Sequence, residues 1–273
     1  MNFDEIIPRK STNSYKWDSD PETDNLLPMW VADMDFKTAP AVIEALRQRV
    51  DHGIFGYTKV PDEYYQAITH WFYHRHDWKI NPEHIIYTTG VVPALSSTIK
   101  GLTDDGDKVI VQSPVYNLFF TSIRNNRCSM LDNCLTAIPG QPYEIDFDGL
   151  EGLAGEAKLM ILCNPHNPIG RIWSADELKR IARICADYGV TVIADEIHCE
   201  LTYDTPYVPF APIAEEVGCR YVILNSPSKA FNTAGLQIAN IICPDRDMRW
   251  KIDRAINDNE VCDVNPFGVV GLI

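Results

Sequence analysis

The chain has 273 residues, of which 45% are hydrophobic and 23% charged, a composition that supports a large buried core and argues against disorder. A formal net charge of −14 would repel nucleic-acid phosphates and anionic lipid, so neither is an expected partner. The N-terminus lacks a signal-peptide hydrophobic stretch, and no run reaches the roughly eighteen apolar residues of a membrane span, which predicts a cytoplasmic protein.

The first predicted elements are two helices, at 39–51 and 62–76, and the first of them ends at Gly53. From there, short apolar runs alternate with helical patterns, which is typical of a mostly parallel sheet covered by helices on both faces. The sequence therefore predicts an α/β fold. Six strands are predicted, at 85–88, 108–112, 159–163, 190–194, 221–225 and 238–243.

The most clearly marked helix lies between the third and fourth of these strands. Ser174 is placed to cap it, Glu177 to complete a capping box and Gly189 to end it. Its apolar face is predicted to contain Leu178, Ile181, Ala182, Cys185 and Tyr188. A further helical pattern covers 247–257, and the chain then stops on NPFGVVGLI without a cap or polar tail, as expected of a sequence that ends short of a natural boundary.

Eight cysteines are spread along the chain without a C-x-x-C pair. Several lie inside apolar runs, where a reduced thiol behaves as a small hydrophobic side chain. We therefore predict core residues in a reducing compartment for the whole set: Cys128, Cys134, Cys163, Cys185, Cys199, Cys219, Cys243 and Cys262.

Polar residues follow four of the apolar runs, and ligands of a doubly wound sheet bind beyond the carboxyl ends of its strands. One run ends in Asp195-Glu196-Ile197-His198, the next in Ser226-Pro227-Ser228-Lys229, and an earlier one in NPHNPIG at 164–170. A fourth, YTTGVV at 87–92, leads directly into a helix, whose free N–H groups and dipole favour an anion. Together, these four segments are predicted to place an anion site, an amine, an acid and an amide at one edge of the sheet.

A lysine and an aspartate at separate strand ends suit pyridoxal 5′-phosphate (PLP). The lysine amine condenses with the cofactor aldehyde, and a carboxylate keeps the pyridine nitrogen protonated, so that the ring accepts electrons. Lys229 is predicted to be that lysine and the catalytic residue, and Asp195 the partner of the ring nitrogen. Asn167 is predicted to donate to the phenolic oxygen of the ring, with His198 beside it. The predicted phosphate donors are Ser226, Ser228 and the helix start at Gly90, Val91 and Val92.

Each motif alone has a plainer interpretation. Asp195-Glu196 also fits a solvated turn or a magnesium ligand pair, SPSK an ordinary turn, and TTGVV a turn whose glycine supplies an unusual backbone angle. The absence of Walker A and G-x-G-x-x-G motifs argues against the commonest nucleotide sites. Histidines at i and i+4 share one helix face and could bind zinc, which applies to His70, His74 and His76 with the neighbouring Asp77. An exposed aromatic helix face is the plainer interpretation of this segment, so no metal is predicted.

Three motifs, NPHNPIG, ADEIH and SPSKAFNTAGL, in this order and spacing, resemble the class I/II aminotransferase family of fold-type I PLP enzymes. The segments NSYKWD, LPMWVADMDF, GIFGYT and SPVYNLFF are similar to its MalY/PatB branch, whose members are mostly cystathionine β-lyases or cysteine-conjugate C–S lyases. The resemblance implies a mostly parallel mixed sheet between helices, with residues 1–45 belonging to an incomplete small domain and 46–273 forming the large PLP-binding domain.

The resemblance also implies roles for two aromatic residues that would otherwise be assigned to the core. Tyr116 is expected to stack on the pyridine ring, and Tyr57 to reach the phosphate of a neighbouring subunit, which implies a homodimer with shared sites. Gln237 stands where many members have a phosphate-binding arginine, and the arginine that binds the substrate carboxylate is expected in a C-terminal domain that this sequence does not include.

The implied reaction is PLP-dependent β-elimination from an amino acid, cystathionine or a cysteine conjugate, which yields a thiol, pyruvate and ammonia. An aminotransferase is the alternative, because none of the residues named above decides between the two reactions. A fragment that binds PLP or a partner without turnover is a third interpretation, motivated by the abrupt end of the sequence.

Overall fold

A computed structural model of the chain describes residues 2–19, 26–258 and 263–273. The apolar runs form one sheet of seven strands in the order β1-β7-β6-β5-β4-β2-β3. The strands are β1 (Ile85–Thr88), β2 (Lys108–Val111), β3 (Ser129–Asp132), β4 (Leu159–Cys163), β5 (Thr191–Asp195), β6 (Tyr221–Asn225) and β7 (Ala239–Ile242). The α/β prediction is confirmed, and all six predicted strands are present.

One strand was not predicted from the sequence. β3 lies at the edge of the sheet and pairs only with β2. It is largely exposed, and Met130 in its middle is 46% exposed. An edge strand that buries neither face has no continuous apolar run, so its sequence carries no strand signal.

The direction of β7 determines which loops meet. β7 is antiparallel to both of its neighbours, β1 and β6, whereas β2 to β6 are mutually parallel. β1 therefore runs parallel to β6, although the two are far apart in the sequence. The carboxyl ends of β1, β2, β4, β5 and β6 all face the same edge of the sheet.

Helices cover both faces of this sheet. The alternation along β4 shows this directly, because Met160 and Leu162 join one core cluster while Leu159, Ile161 and Cys163 join the other. The helices are α1 (Pro40–His52), α2 (Asp62–His76), α3 (Val91–Leu102), α4 (Asn117–Asn125), α5 (Phe147–Ala154), α6 (Ala175–Tyr188), α7 (Phe210–Val217), α8 (Arg246–Asn257) and α9 (Pro266–Leu272). Within the described ranges, no helix is both long and apolar enough to cross a bilayer.

The crossover helix α6 confirms its predicted start and end. Ser174 and Glu177 form a complete capping box, and Gly189 ends the helix with a left-handed φ of 70°. The predicted apolar face is buried except for Tyr188, which is 47% exposed. That prediction was wrong because Tyr188 occupies the final position of the helix, next to the exposed Gly189.

The predicted burial of the cysteines is confirmed at six positions. Every cysteine that the structure describes is a free thiol, and only Cys134 among them is exposed, contrary to the prediction. Cys134 lies in the loop after the edge strand β3, which the core does not reach. Cys262 lies outside the described residues.

Close packing of α3 on α8 gives the first testable prediction. A Cβ added at Gly101 would lie 2.8 Å from the Lys251 carbonyl oxygen, so we expect Gly101→Ala to lower the free energy of unfolding by about 1–3 kcal/mol. Gly152 in α5 is the matched control, because a Cβ there meets nothing within 4 Å. Gly152→Ala should stabilise the protein by a few tenths up to about 1 kcal/mol. Urea unfolding measures both, and equal effects of the two substitutions would contradict the packing argument.

Candidate active site

A buried acid lies at the centre of the shared sheet edge. Asp195 is the last residue of β5, and its carboxylate accepts a hydrogen bond from the Ile197 N–H at 3.2 Å. Burial raises the pKa of Asp195 to about 6, although the Ile197 N–H and the charge of Lys229 act in the opposite direction. A cation placed beside this buried carboxylate would therefore stabilise its ionised form.

Lys229 supplies the amine of the site. It lies in the turn after β6, and its Nζ donates to the Ala32 carbonyl oxygen at 3.3 Å. Its charge lowers the pKa of Asp195 and also that of His198, whose pKa is lowered mainly by burial. The amine therefore lies within electrostatic reach of both groups, as expected from the two strand ends.

The two predicted serines are not equivalent. Ser226 is buried, and its hydroxyl donates to the Ile238 carbonyl oxygen at 2.6 Å and accepts from the Ser228 N–H at 3.1 Å. Its single proton is therefore already used inside the protein. The Ser228 hydroxyl lies 2.9 Å from Ser226 Oγ and is less buried, so it could donate its proton either to that oxygen or to a ligand.

The start of α3 presents backbone N–H groups at the same edge. Gly90 is the N-cap and has no side chain to satisfy the first N–H groups, those of Val91 and Val92, which have no partner inside the helix. Gly90 has a φ of 170°, an extended conformation that any residue adopts, so the unusual-angle interpretation of this glycine was wrong. A Cβ there would instead lie 3.3 Å from Pro93 Cδ.

Asn167 lies in the turn after β4, where two neighbours fix the loop. Its backbone N–H donates to Cys163 Sγ at 3.3 Å, and the charge of Asp195 contributes to the raised pKa of Cys163, after burial. His166 Nε2 lies 3.0 Å from the Pro114 carbonyl oxygen and must donate its proton there. Burial lowers the pKa of His166, so this ring is neutral at pH 7 and joins the turns after β4 and β2.

Tyr116 follows β2 and belongs to the same group of side chains, whereas Tyr57 does not. Tyr116 is half-buried against Phe119, and burial and then the charge of Asp195 raise its pKa. Tyr57 is 99% exposed on the segment between α1 and α2. Electrostatic interactions thus link Lys229, Asp195, His198 and Tyr116. The other predicted site residues lie after strands that end at the same sheet edge, except Tyr57. Gln237 directly precedes Ile238, whose carbonyl binds Ser226.

Sequence reasoning missed the role of Glu196, the residue after Asp195. Its side chain is fully buried and accepts hydrogen bonds from Asn164 Nδ2 at 3.1 Å, from the Phe210 N–H at 3.0 Å and from the Tyr207 hydroxyl. These bonds join the ends of β4 and β5 to the start of α7. The only sign of this role in the sequence is the first asparagine of NPHNP, Asn164, and no periodic pattern of apolar residues marks it.

Glu196 makes the stability of the protein depend on pH. Burial raises its pKa from 4.5 to about 7, so between these values the folded protein holds a proton that the unfolded chain has released. The free energy of unfolding should therefore fall by roughly 3 kcal/mol as the pH rises through this window. In Glu196→Gln this component should be absent, leaving a flatter profile in urea unfolding from pH 4.5 to 8. An unchanged slope would contradict the assignment.

The histidines of α2 that were considered for a zinc site take part in two separate groups of contacts. His70 and His74 lie in contact, with tilted rings whose centroids are 4.1 Å apart, whereas His76 Nε2 lies 2.6 Å from a carboxylate oxygen of Glu200. Glu200 also accepts hydrogen bonds from Trp71 Nε1 at 2.7 Å and from Arg75 at 3.2 Å. Burial by itself would raise the pKa of Glu200, but the hydrogen bonds from His76, Trp71 and Arg75 lower it to about 2. This cluster, to which Cys199 is adjacent, anchors α2 to the loop after β5.

Comparison with known proteins decides the family. The family aminotransferase class I and II matches residues 25–263. The chain belongs to this family. It is 43% identical over its whole length to cystathionine beta-lyase PatB of Bacillus subtilis (strain 168) and 35% identical over 86% of its length to protein MalY of Escherichia coli (strain K12). The resemblance to the MalY/PatB branch is confirmed.

The fold is shared with a solved enzyme of the same kind. The PLP-bound C–S lyase from Staphylococcus hominis superposes with a TM-score of 0.90 at 36% identity, covering the whole of this chain and 70% of that one. The fold-type I prediction is therefore confirmed. The chain spans 72% of PatB and 61% of MalY.

Proposed function

We propose that this chain is a PLP-dependent carbon–sulfur β-lyase that releases a thiol, pyruvate and ammonia from cystathionine or a related cysteine conjugate. The observation that carries the proposal is that the Lys229 amine lies within electrostatic range of the buried Asp195 carboxylate, after two neighbouring strands at one sheet edge. Its family and branch include named cystathionine beta-lyases and a PLP-bound C–S lyase.

The donors of the described residues fit this cofactor. PLP presents an aldehyde, a cationic ring nitrogen and a phosphate, which need an amine, a buried acid and N–H or hydroxyl donors. Lys229 would bind the aldehyde and Asp195 the ring nitrogen. The phosphate would be bound by the uncapped start of α3 at Gly90, Val91 and Val92 and by Ser228, with Ser226 fixing the conformation of the turn.

The remaining polar and aromatic residues would orient the ring. Tyr116 would stack on the ring face, and Asn167 would donate its amide to the phenolic oxygen. His198 has a pKa lowered mainly by burial, so it would be a neutral neighbour of that oxygen and would not compete with Asp195 for the cationic nitrogen.

Lys229 would then move the proton on which the reaction depends. When bound, the cofactor withdraws electrons from the α-carbon of the amino acid and so acidifies its C–H bond. As a free amine, Lys229 would accept the α-proton of the bound amino acid. As the Cβ–S bond breaks, the thiolate departs with the bonding pair and takes up a proton. Hydrolysis of the remaining enamine gives pyruvate and ammonia.

A product assay tests the proposal. Purified protein with PLP and cystathionine is assayed for thiol, pyruvate and ammonia, and in parallel with a keto acid for transamination. Equal amounts of the three products are expected. Amino transfer to the keto acid without thiol release would instead identify an aminotransferase, and no product in either assay would identify a binding fragment without turnover.

We also propose a homodimer with shared sites, in which Tyr57 of each subunit reaches the phosphate of the other. Its support is the exposed, unpacked side chain of Tyr57 and its exposed neighbours Ile54 (66%) and Phe55 (56%). The division into residues 1–45 and a PLP-binding domain of residues 46–273 is part of the same proposal. This boundary falls inside α1, and all seven strands lie after it.

Mixing two defective variants tests the shared site. Tyr57→Ala and Lys229→Ala should each be strongly impaired. After subunit exchange, roughly a quarter of wild-type activity should return, because half of the dimers then hold one site with both residues intact. Tyr203→Ala, at a similarly exposed tyrosine, is the control and should be fully active alone. Absence of recovery with confirmed exchange would contradict shared sites.

A further inference from the structure

A segment from the N-terminal part of the chain crosses the lysine of the site. We define residues 32–36, ADMDF, as the strap. Its first carbonyl, that of Ala32, accepts the hydrogen bond from Lys229 Nζ at 3.3 Å. The strap is separated from the lysine turn by almost 200 residues of sequence, so specific contacts must hold the two together.

Asn232, three residues after the lysine, provides those contacts. Its Oδ1 accepts from the Met34 N–H at 3.0 Å, and its Nδ2 donates to the carbonyl oxygens of Met34 at 3.0 Å and Phe36 at 2.8 Å. One side-chain amide thus binds three backbone groups of the strap. A carboxylate lacks the donor and a hydroxyl is too short to bridge the three.

The backbone of Asn232 also requires an unusual residue. Its φ is 55°, in the left-handed region, where asparagine is one of the few side chains that is tolerated. The residue at position 232 must therefore adopt a left-handed backbone conformation and also supply an amide side chain. Asparagine meets both requirements.

The strap is held from its other side by the first seventeen residues. Arg9 binds the Asp33 carboxylate at 2.6 Å and the Met34 carbonyl oxygen at 2.8 Å. Lys16 donates to the Asp33 carbonyl oxygen at 3.0 Å, and Asp35 accepts from Trp17 Nε1 at 2.9 Å. Asn232 is accordingly the link between this assembly and the turn that carries the lysine.

We propose that Asn232 is a positioning residue that fixes the strap over Lys229, so that the Ala32 carbonyl and the strap backbone form one wall of the substrate site. This inference rests on the proposed function for the identity of the substrate, but not for the strap contact itself. The hydrogen bonds of the Asn232 side chain go to the backbone of the strap, so it acts through the strap.

Two substitutions separate the hydrogen bonds from the backbone conformation. Asn232→Gly keeps the left-handed φ and removes all three bonds, whereas Asn232→Asp keeps the acceptor and places a negative charge against two carbonyl oxygens. Both should raise KM for cystathionine at least about tenfold while changing kcat less than about threefold. Lys37→Ala is the control, because it removes only the exposed ion pair with Glu5 just after the strap.

Hydrogen–deuterium exchange gives a readout that is independent of turnover. In cofactor-loaded protein without substrate, peptides covering 30–37 should exchange faster in both Asn232 variants, and at the wild-type rate in Lys37→Ala. Wild-type exchange or wild-type KM in Asn232→Gly would overturn the proposal. If the wild-type protein lacks lyase activity, the proposed function fails, and exchange alone still decides whether Asn232 holds the strap.

Discussion

Lys229→Ala is expected to lower kcat/KM for β-elimination by more than about 10³-fold. In the proposed function Lys229 is both the amine that binds the cofactor aldehyde and the base that accepts the α-proton, and a positioned base alone contributes about 10²–10⁴-fold. In the wild type with PLP, borohydride reduction should leave the cofactor mass on the peptide that contains Lys229. The variant should show neither this mass nor the visible absorption of the linkage.

The matched control is Lys251→Ala, at an exposed lysine of α8, a helix that contributes none of the predicted site residues. It should retain full activity and the reducible linkage. If the cofactor mass appeared on another lysine in the wild type, or if Lys229→Ala kept substantial turnover, the assignment of the catalytic lysine would be wrong.

Asp195→Asn should separate catalysis from stability. A buried carboxylate beside the cationic ring nitrogen is strongly favourable, and removing one partner of such a pair costs about 3–5 kcal/mol, so activity should fall roughly 10²–10⁴-fold. Without cofactor the carboxylate has no such partner, and burial raises its pKa to about 6. At pH 8, where the acid is ionised in both states, the neutral amide should therefore stabilise the cofactor-free protein by up to about 3 kcal/mol.

The measurements are product formation with PLP and urea unfolding without it. Asp187→Asn, at an exposed position near the end of α6, should change neither quantity. A variant of Asp195 that is both inactive and destabilised without cofactor would point to a structural role instead.

The parts of the fold that the sequence predicts are those with strong local patterns. β4, β5 and β6 are buried on both faces and appear as continuous apolar runs, and α6 carries both a capping box and a terminal glycine. The antiparallel direction of β7 has no such signal, because a short buried run looks the same in either direction. The exposed strand β3 also has no such signal in its sequence.

The same division applies to the candidate site. Lys229, Asp195 and Asn167 were predicted because the ends of parallel strands meet at one edge, a rule that needs only the strand order. The contact between Asn232 and the strap joins residues almost 200 positions apart, and the bond from Ser226 to Ile238 depends on the turn geometry. Tertiary hydrogen bonds of this kind leave no trace in periodicity or composition.

The position of β1 has a consequence for biosynthesis. β1 pairs with β7 alone, and β7 is made about 150 residues later, which at typical rates of translation is a delay on the order of ten seconds. During that time the nascent chain carries a strand whose backbone has no partner, and the helix that follows it can pack on β5 and β6 only late in the interval, once these strands have been made. The start of α3, where we propose that the phosphate binds, is therefore among the last parts of the site to be fixed, and the interval before β7 emerges is when β1 is most exposed to misassociation on the ribosome.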